Sequence, residues 1–268
     1  MIAPELATLA FCWRLERRDG IALGFTSHDR DLMFGGLTYR AAPGMRPSAI
    51  ARSDDLDVDN VELTGALTSD AITAEDLAAG RWDGATLKLI ATDWQDAGRT
   101  VTPLVRGTLG AVAVSSRGFT VQLDGPTAAL EAAVVETIAP ECRAELGDAR
   151  CRVDLARHRR IVRVLALDGA VVTTDAAEPS SDAYGFGRLR WIEGANSGLG
   201  SAITASAGVT LTLAEPPHFA VSTPVRVEII EGCDKRLATC AGRFANAVNF
   251  RGEPHVPGND LLTRYPGS

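Results

Sequence analysis

Residues 9–26 read LAFCWRLERRDGIALGFT. From Leu9 to Glu16 the side chains alternate, as in a strand with a buried face. Arg18-Asp19-Gly20 follows as a hairpin turn, because Asp-Gly tolerates the positive φ that tight hairpins require, and Ile21 to Thr26 returns as the partner strand. Gly35-Gly36 makes a second turn, between Leu32-Met33-Phe34 and Leu37-Thr38-Tyr39. Cys12 lies inside the first strand and reads as a small core hydrophobe.

The same rhythm continues outward. Ser53 to Asn60 is acidic and reads as a solvated edge strand; its aspartates lack the glycine and later glutamate of a calcium loop. Val61 to Thr64 extends the alternation. Thr73 to Gly80 predicts a short helix, capped by Thr73 and ended by Gly80. Strands are expected over Ala85 to Thr92, Pro103 to Val114 and Phe119 to Leu123, with Trp94 packed over the sheet. Thr127 to Ala132 looks helical, and a domain boundary falls near residue 130. Beyond it, strands are predicted over Arg160–Leu167, Ala170–Thr174, Leu189–Ile192, Gly200–Ala205, Val209–Leu213 and Pro224–Ile230. Ser180 to Gly187 reads as a loop, and the tail from Phe244 as an irregular segment or contact arm. The expected fold is mainly β: two β-rich domains, barrel- or sandwich-like, with short helices, over 1–130 and 131–268.

Composition narrows the function classes. The chain has 268 residues, 46% of them hydrophobic and 23% charged, which suits a folded core and not a disordered chain. Its net charge is −7, so the global basic excess of a nucleic-acid binder is missing and no sequence-specific nucleic acid is expected. No stretch reaches the roughly 20 apolar residues of a membrane span. The N-terminus lacks a signal peptide's basic region, so synthesis in the cytoplasm is expected, where disulfides are disfavoured.

Four cysteines fall in two pairs in the second half. Cys142 and Cys151 are spaced C-x8-C; Cys233 and Cys240 are spaced C-x6-C. Thiolates are soft ligands, suited to zinc or to iron–sulfur clusters. The spacings are loose for zinc knuckles, and iron–sulfur ligation accepts a wider range. Seven arginines between residues 143 and 163 would offset the charge of four thiolates. The bland alternatives are four reduced, unliganded thiols and a solvated basic face. His158 and His255 read as surface or hydrogen-bonding residues.

The segment from Gly232 to Asp260 carries G-C-D-K-R-x-x-T-C and then R-F-x-N-x-x-N-F-R-G-E-P. It resembles the C-terminal signature of a phage family of conserved proteins from tail modules of siphophage-like prophages and gene transfer agents. Phe25-Thr-Ser-His28-Asp29 and Tyr39-x-x-x-Pro43-Gly44 are similar to the companion N-terminal domain, so the resemblance covers nearly the whole chain. It implies a structural, non-enzymatic baseplate hub in the tail of a virion-like particle. Such a hub is expected to form a trimeric ring between the distal tail protein and the central tip protein. Related tail-tip proteins resembling the lambda minor tail protein L imply a [4Fe–4S] cluster on Cys142, Cys151, Cys233 and Cys240, with zinc as the alternative cofactor.

Two other readings compete. A cell-wall-acting or redox enzyme of the tail tip would use one of these cysteines as nucleophile and His158 or His255 as base, yet no G-x-S-x-G or H-E-x-x-H accompanies them. Glycan binding would use Trp191, Tyr184 and Phe186, for which core packing or turn anchoring is the stronger expectation.

Overall fold

The computed structural model describes residues 8–41, 46–47, 60–65, 72–96, 101–115, 118–124 and 135–256. The acidic run 53–59, the expected helix over 127–132 and the tail beyond 256 lie outside these. The chain divides into two compact units, Met1–Val134 and Val135–Ser268. The fold is mainly β, as the alternation implies, with only short helices.

The first unit is a nine-stranded sheet. Its strands are β1 (Leu9–Glu16), β2 (Ala22–Thr26), β3 (Leu32–Phe34), β4 (Leu37–Ala41), β5 (Arg46–Pro47), β6 (Asn60–Gly65), β7 (Thr86–Asp93), β8 (Val101–Ser115) and β9 (Gly118–Asp124). They run in the order β3-β4-β2-β1-β7-β8-β9-β6-β5. Every pairing is antiparallel except β2 with β4. The two turns read from the sequence are present, with Gly20 at φ +89°, Gly35 at +56° and Gly36 at +72°.

The expectation of one buried face on β1 is exceeded. Trp13 and Leu15 enter a core with Phe25, Trp82, Leu87 and Leu89, while Ala10 and Cys12 pack on the opposite face with Leu32 and Tyr39. Period-two geometry gives each face its own set, and both sets are buried. Each fully buried large side chain contributes about 1.5–3 kcal/mol. The helix α1 (Ala74–Ala78) starts at Thr73, whose hydroxyl accepts the Asp76 N–H at 3.0 Å. Trp94 directly follows β7. It sits in a single 3-10 turn, 37% exposed, with its ring 4.9 Å from that of His28.

The second unit holds a closed barrel. Its strands are β10 (Arg159–Asp168), β11 (Val171–Thr174), β12 (Arg188–Trp191), β13 (Gly200–Ala207), β14 (Thr210–Leu213) and β15 (Val225–Ile230). Around the barrel they run β10-β11-β14-β13-β12-β15. Alternate residues fill the interior: Val162 and Val164, Leu189 and Trp191, Leu211 and Leu213, and Val225, Val227 and Ile229. Irregularities after Val164 and Ile203 shift the register, so the next inward residues are Leu167 and Ser206.

The Ser/Gly segment 180–187 is a loop that also plugs the barrel. Tyr184 is 2% exposed within the barrel core, and its N–H donates to Ser206 Oγ at 3.1 Å. Asp182 accepts the Ser206 N–H at 2.8 Å, and Glu178 accepts the Ser206 hydroxyl. Tyr184 and Trp191 are therefore structural, and only Phe186, 68% exposed, is open to solvent. Among the described residues no helix is long and apolar enough to cross a membrane.

Candidate metal centre

Outside the barrel, two segments close on each other. The first is the stretch from Val135 to Asp154 that leads into β10; the second runs from Gly232, just past β15, to Val256. Cys142, Cys151, Cys233 and Cys240 all line one cavity between these segments, walled by Leu146, Val153, Phe244 and Phe250.

Each cysteine is placed by specific backbone chemistry. The Asp148 carboxylate accepts the N–H groups of Cys151 at 2.6 Å, Arg150 at 2.8 Å and Glu145 at 3.0 Å, folding a turn that carries Cys151 inward. The Cys151 bond, with help from the other two, lowers the Asp148 pKa. Cys142 donates its N–H to the Lys235 carbonyl at 2.8 Å, which registers the first segment against the second. Cys233 follows Gly232, where an added Cβ would lie 1.7 Å from the Gly185 carbonyl oxygen, so only glycine fits. Cys240 is the buried residue of α2 (Leu237–Gly242), a helix the sequence reading did not anticipate. Asp234 organises its start, accepting the Arg236 N–H at 3.0 Å and the Thr239 hydroxyl at 2.9 Å.

Two N–H groups are directed at cysteine sulfurs. The Arg251 amide donates to Cys142 Sγ at 3.3 Å and the Asn246 side chain to Cys151 Sγ at 3.7 Å. Hydrogen bonds to ligating sulfurs are a common feature of metal–thiolate sites. Burial raises the Cys233 pKa. Cys240 is pushed up by burial and then by the neighbouring Cys233, Cys142 and Cys151. A positively charged centre shared by the four sulfurs would relieve the repulsion that their thiolates would otherwise feel.

The tail motif reads residue by residue as the frame of this cavity. Lys235 donates to the Ala144 carbonyl at 2.7 Å and pairs with Glu145 at 3.0 Å. Arg243 donates to the carbonyls of Gly232 at 3.0 Å and of Ala183 and Asp182, both at 3.3 Å, tying α2 to the barrel plug. Asn246 donates to the Cys151 carbonyl at 2.6 Å and accepts from the Asn249 side-chain amide at 2.7 Å. Gly252 lies where a Cβ would meet the Glu141 carbonyl oxygen at 2.5 Å. Glu253 forms a two-pronged pair with Arg143.

The arginine-rich stretch behaves differently from its expected role. Arg143 and Arg150 pair with Glu136, Arg157 with Asp154 and Arg159 with Glu228. The cations on the cavity wall are instead Lys235 and Arg236. Charged groups settle on the nearest carboxylates, which linear counting does not reveal. No histidine lines the cavity. His158 Nδ1 is 3.0 Å from Glu231, its ring edge-on to Phe244 at 5.0 Å, and His255 is exposed. Among the described residues, no three His, Cys, Asp or Glu side chains gather tightly enough for a single metal ion.

Comparisons with known proteins bear on this arrangement. Residues 1–154 match the family model described as baseplate hub protein, N-terminal attachment domain. This chain belongs to the baseplate hub protein family. Residues 182–260 match a second model of this kind, phage conserved hypothetical protein BR0599, which spans the barrel plug, Cys233, Cys240 and the motif around them. The hub-family chain is also similar to a chain in the solved structure of the virion of a native gene transfer agent (GTA) particle. The two are 37% identical, with a TM-score of 0.83, over 98% of this chain and 93% of the other. No curated protein matches it.

Proposed function

We propose that this protein is a structural, non-enzymatic hub of a phage-type tail baseplate, stapled by a [4Fe–4S] cluster on Cys142, Cys151, Cys233 and Cys240. The observation that carries the cluster is the convergence of these four thiols on one cavity, from segments about eighty residues apart, with N–H donors aimed at two of the sulfurs. The donor set is all sulfur, and the C-x8-C and C-x6-C spacings are looser than zinc knuckles. The cluster, when bound, supplies four covalent ties between the two segments; the chain's own residues hold the thiols and screen them with Phe244 and Phe250.

Its place is the tail baseplate of a virion-like particle, as family membership and the likeness to a gene transfer agent virion chain support. There it forms a trimeric ring between the distal tail protein and the central tip protein. The enzyme reading lacks a histidine base beside the cysteines, since none lines their cavity.

Anaerobic purification followed by iron, sulfide and zinc analysis tests the cluster. About four irons and four sulfides per chain with broad visible absorbance are expected; stoichiometric zinc without iron overturns it. Light scattering tests the ring: a mass three times the 28.3 kDa chain is expected, alone or with a partner protein.

A further inference from the structure

We infer that Asn246 is a positioning residue for the four-cysteine centre, orienting Cys151 and directing an amide N–H at its sulfur, with Asn249 locking that orientation. The inference rests on the cluster reading above. Asn246 is 8% exposed and lies four residues past the end of α2. Its side-chain nitrogen donates to the Cys151 carbonyl at 2.6 Å and to Cys151 Sγ at 3.7 Å, so its amide group serves one cysteine twice. Its side-chain oxygen accepts from Asn249 Nδ2 at 2.7 Å, which fixes which end of the amide faces Cys151. Its backbone N–H donates to the Cys240 carbonyl at 2.9 Å. One residue thus touches a cysteine of each pair.

Hydrogen bonds to ligating sulfurs are one lever on a cluster's potential. An N–H dipole aimed at a cysteine sulfur stabilises the more negative, reduced state, so losing it lowers the potential. An amide needed for packing alone would be replaceable by leucine, which has similar volume. An amide needed as a donor would not.

The test uses the full chain, purified anaerobically, as wild type, Asn246→Leu, Asn246→Asp and Asn249→Ala. Wild-type iron is measured first; wild type without iron removes the cluster reading and this inference with it. In iron-loaded protein the reduced-to-oxidised ratio at fixed potential is expected to fall about tenfold in Asn246→Leu, equivalent to about 59 mV for one electron. Asn246→Asp shifts further in the same direction, and Asn249→Ala shifts less because the donor remains but is free to turn. Resonance Raman of the oxidised cluster reads the same bond without reduction: the iron–cysteine stretch is expected to rise in Asn246→Leu. If Asn246→Leu does not fold, Asn249→Ala carries both measurements. Iron-loaded variants with unchanged potential and unchanged stretching frequency overturn the role of Asn246 while leaving the cluster in place.

Discussion

Arg143 and Glu253 meet in a bidentate ion pair, 2.5 and 2.9 Å between donor and acceptor atoms, across 110 residues of sequence. Arg143 directly follows Cys142, and Glu253 lies two residues after the amide that donates to Cys142 Sγ. The pair also holds backbone together: Arg143 donates its N–H to the Arg251 carbonyl at 3.0 Å, and Glu253 to that of Ala139 at 2.9 Å. The two strands of chain that frame Cys142 are thus clasped at one point by charge and by main chain.

Removing either partner should loosen that clasp. Arg143→Ala and Glu253→Ala are each expected to lower the urea midpoint, and the double variant to lose less than the sum, since the second change removes a group already unpaired. A strictly additive double-mutant cycle would show that the two side chains do not interact.

Acid should weaken the same region. The Glu253 carboxyl is held below its ordinary 4.5 by the Arg143 hydrogen bond, and Glu136 likewise. Asp148 is held below 3.8 by the Cys151 N–H. For carboxylates with depressed folded pKa, the stabilisation is fully present above the unfolded value and lost as pH falls through the folded one. Unfolding monitored from pH 7 downward should therefore show constant stability to about pH 5 and a decline below about 4.5 that is blunted in Glu253→Gln. An undiminished decline in that variant would remove Glu253 as a cause.

Two glycines should be intolerant for steric reasons. A Cβ at Gly252 would lie 2.5 Å from the Glu141 carbonyl oxygen, and one at Gly232 would lie 1.7 Å from that of Gly185. Both obstacles are backbone, so the chain must move. Gly252→Ala is expected to cost about 1–3 kcal/mol, the usual range for forced overpacking, and to lower iron content. Gly232→Ala should cost more and separate α2 from the barrel plug. Circular dichroism melts and iron analysis check both, and wild-type values for Gly252→Ala would contradict the close approach.

Each cysteine of the cavity should matter to metal, and Cys12 should not. Serine at 142, 151, 233 or 240 is expected to reduce bound iron. Cys12→Ser leaves iron unchanged, because Cys12 is buried in the first unit, donating to Thr26 Oγ1 at 3.4 Å. Chelation should lower the melting temperature of the second unit, as metal binding free energy is folding free energy. Equal melting with and without chelator would argue against a staple.

Much of the β framework is legible in the sequence because period-two patterning and Asp-Gly or Gly-Gly turns are local signals. The hairpin of β1 and β2, the Gly35-Gly36 turn and the Thr73 cap all follow from neighbours within a few residues. The helix around Cys240 escapes such reading: it spans only Leu237–Gly242, and its first residue has no side-chain cap. Asp234, which bonds both Arg236 and Thr239, is the one local hint. The burial of Tyr184 is equally hidden, since a Ser- and Gly-rich segment has loop composition whether it plugs a barrel or not. Asn246 stands in the R-F-x-N-x-x-N-F motif, which marks the residue without saying what it touches. Its importance comes from Cys151, 95 residues earlier, and only folding brings them together.

The amide aimed at Cys142 belongs to Arg251, so the order in which the chain is made has a consequence. Cys142 and Cys151 leave the ribosome long before the residues that shield them, and until position 251 follows, the cavity has only part of its wall. A nascent chain would carry two unprotected thiols through that interval. Metal loading should accordingly be a late event of synthesis, and stalled or truncated chains the ones most prone to oxidation.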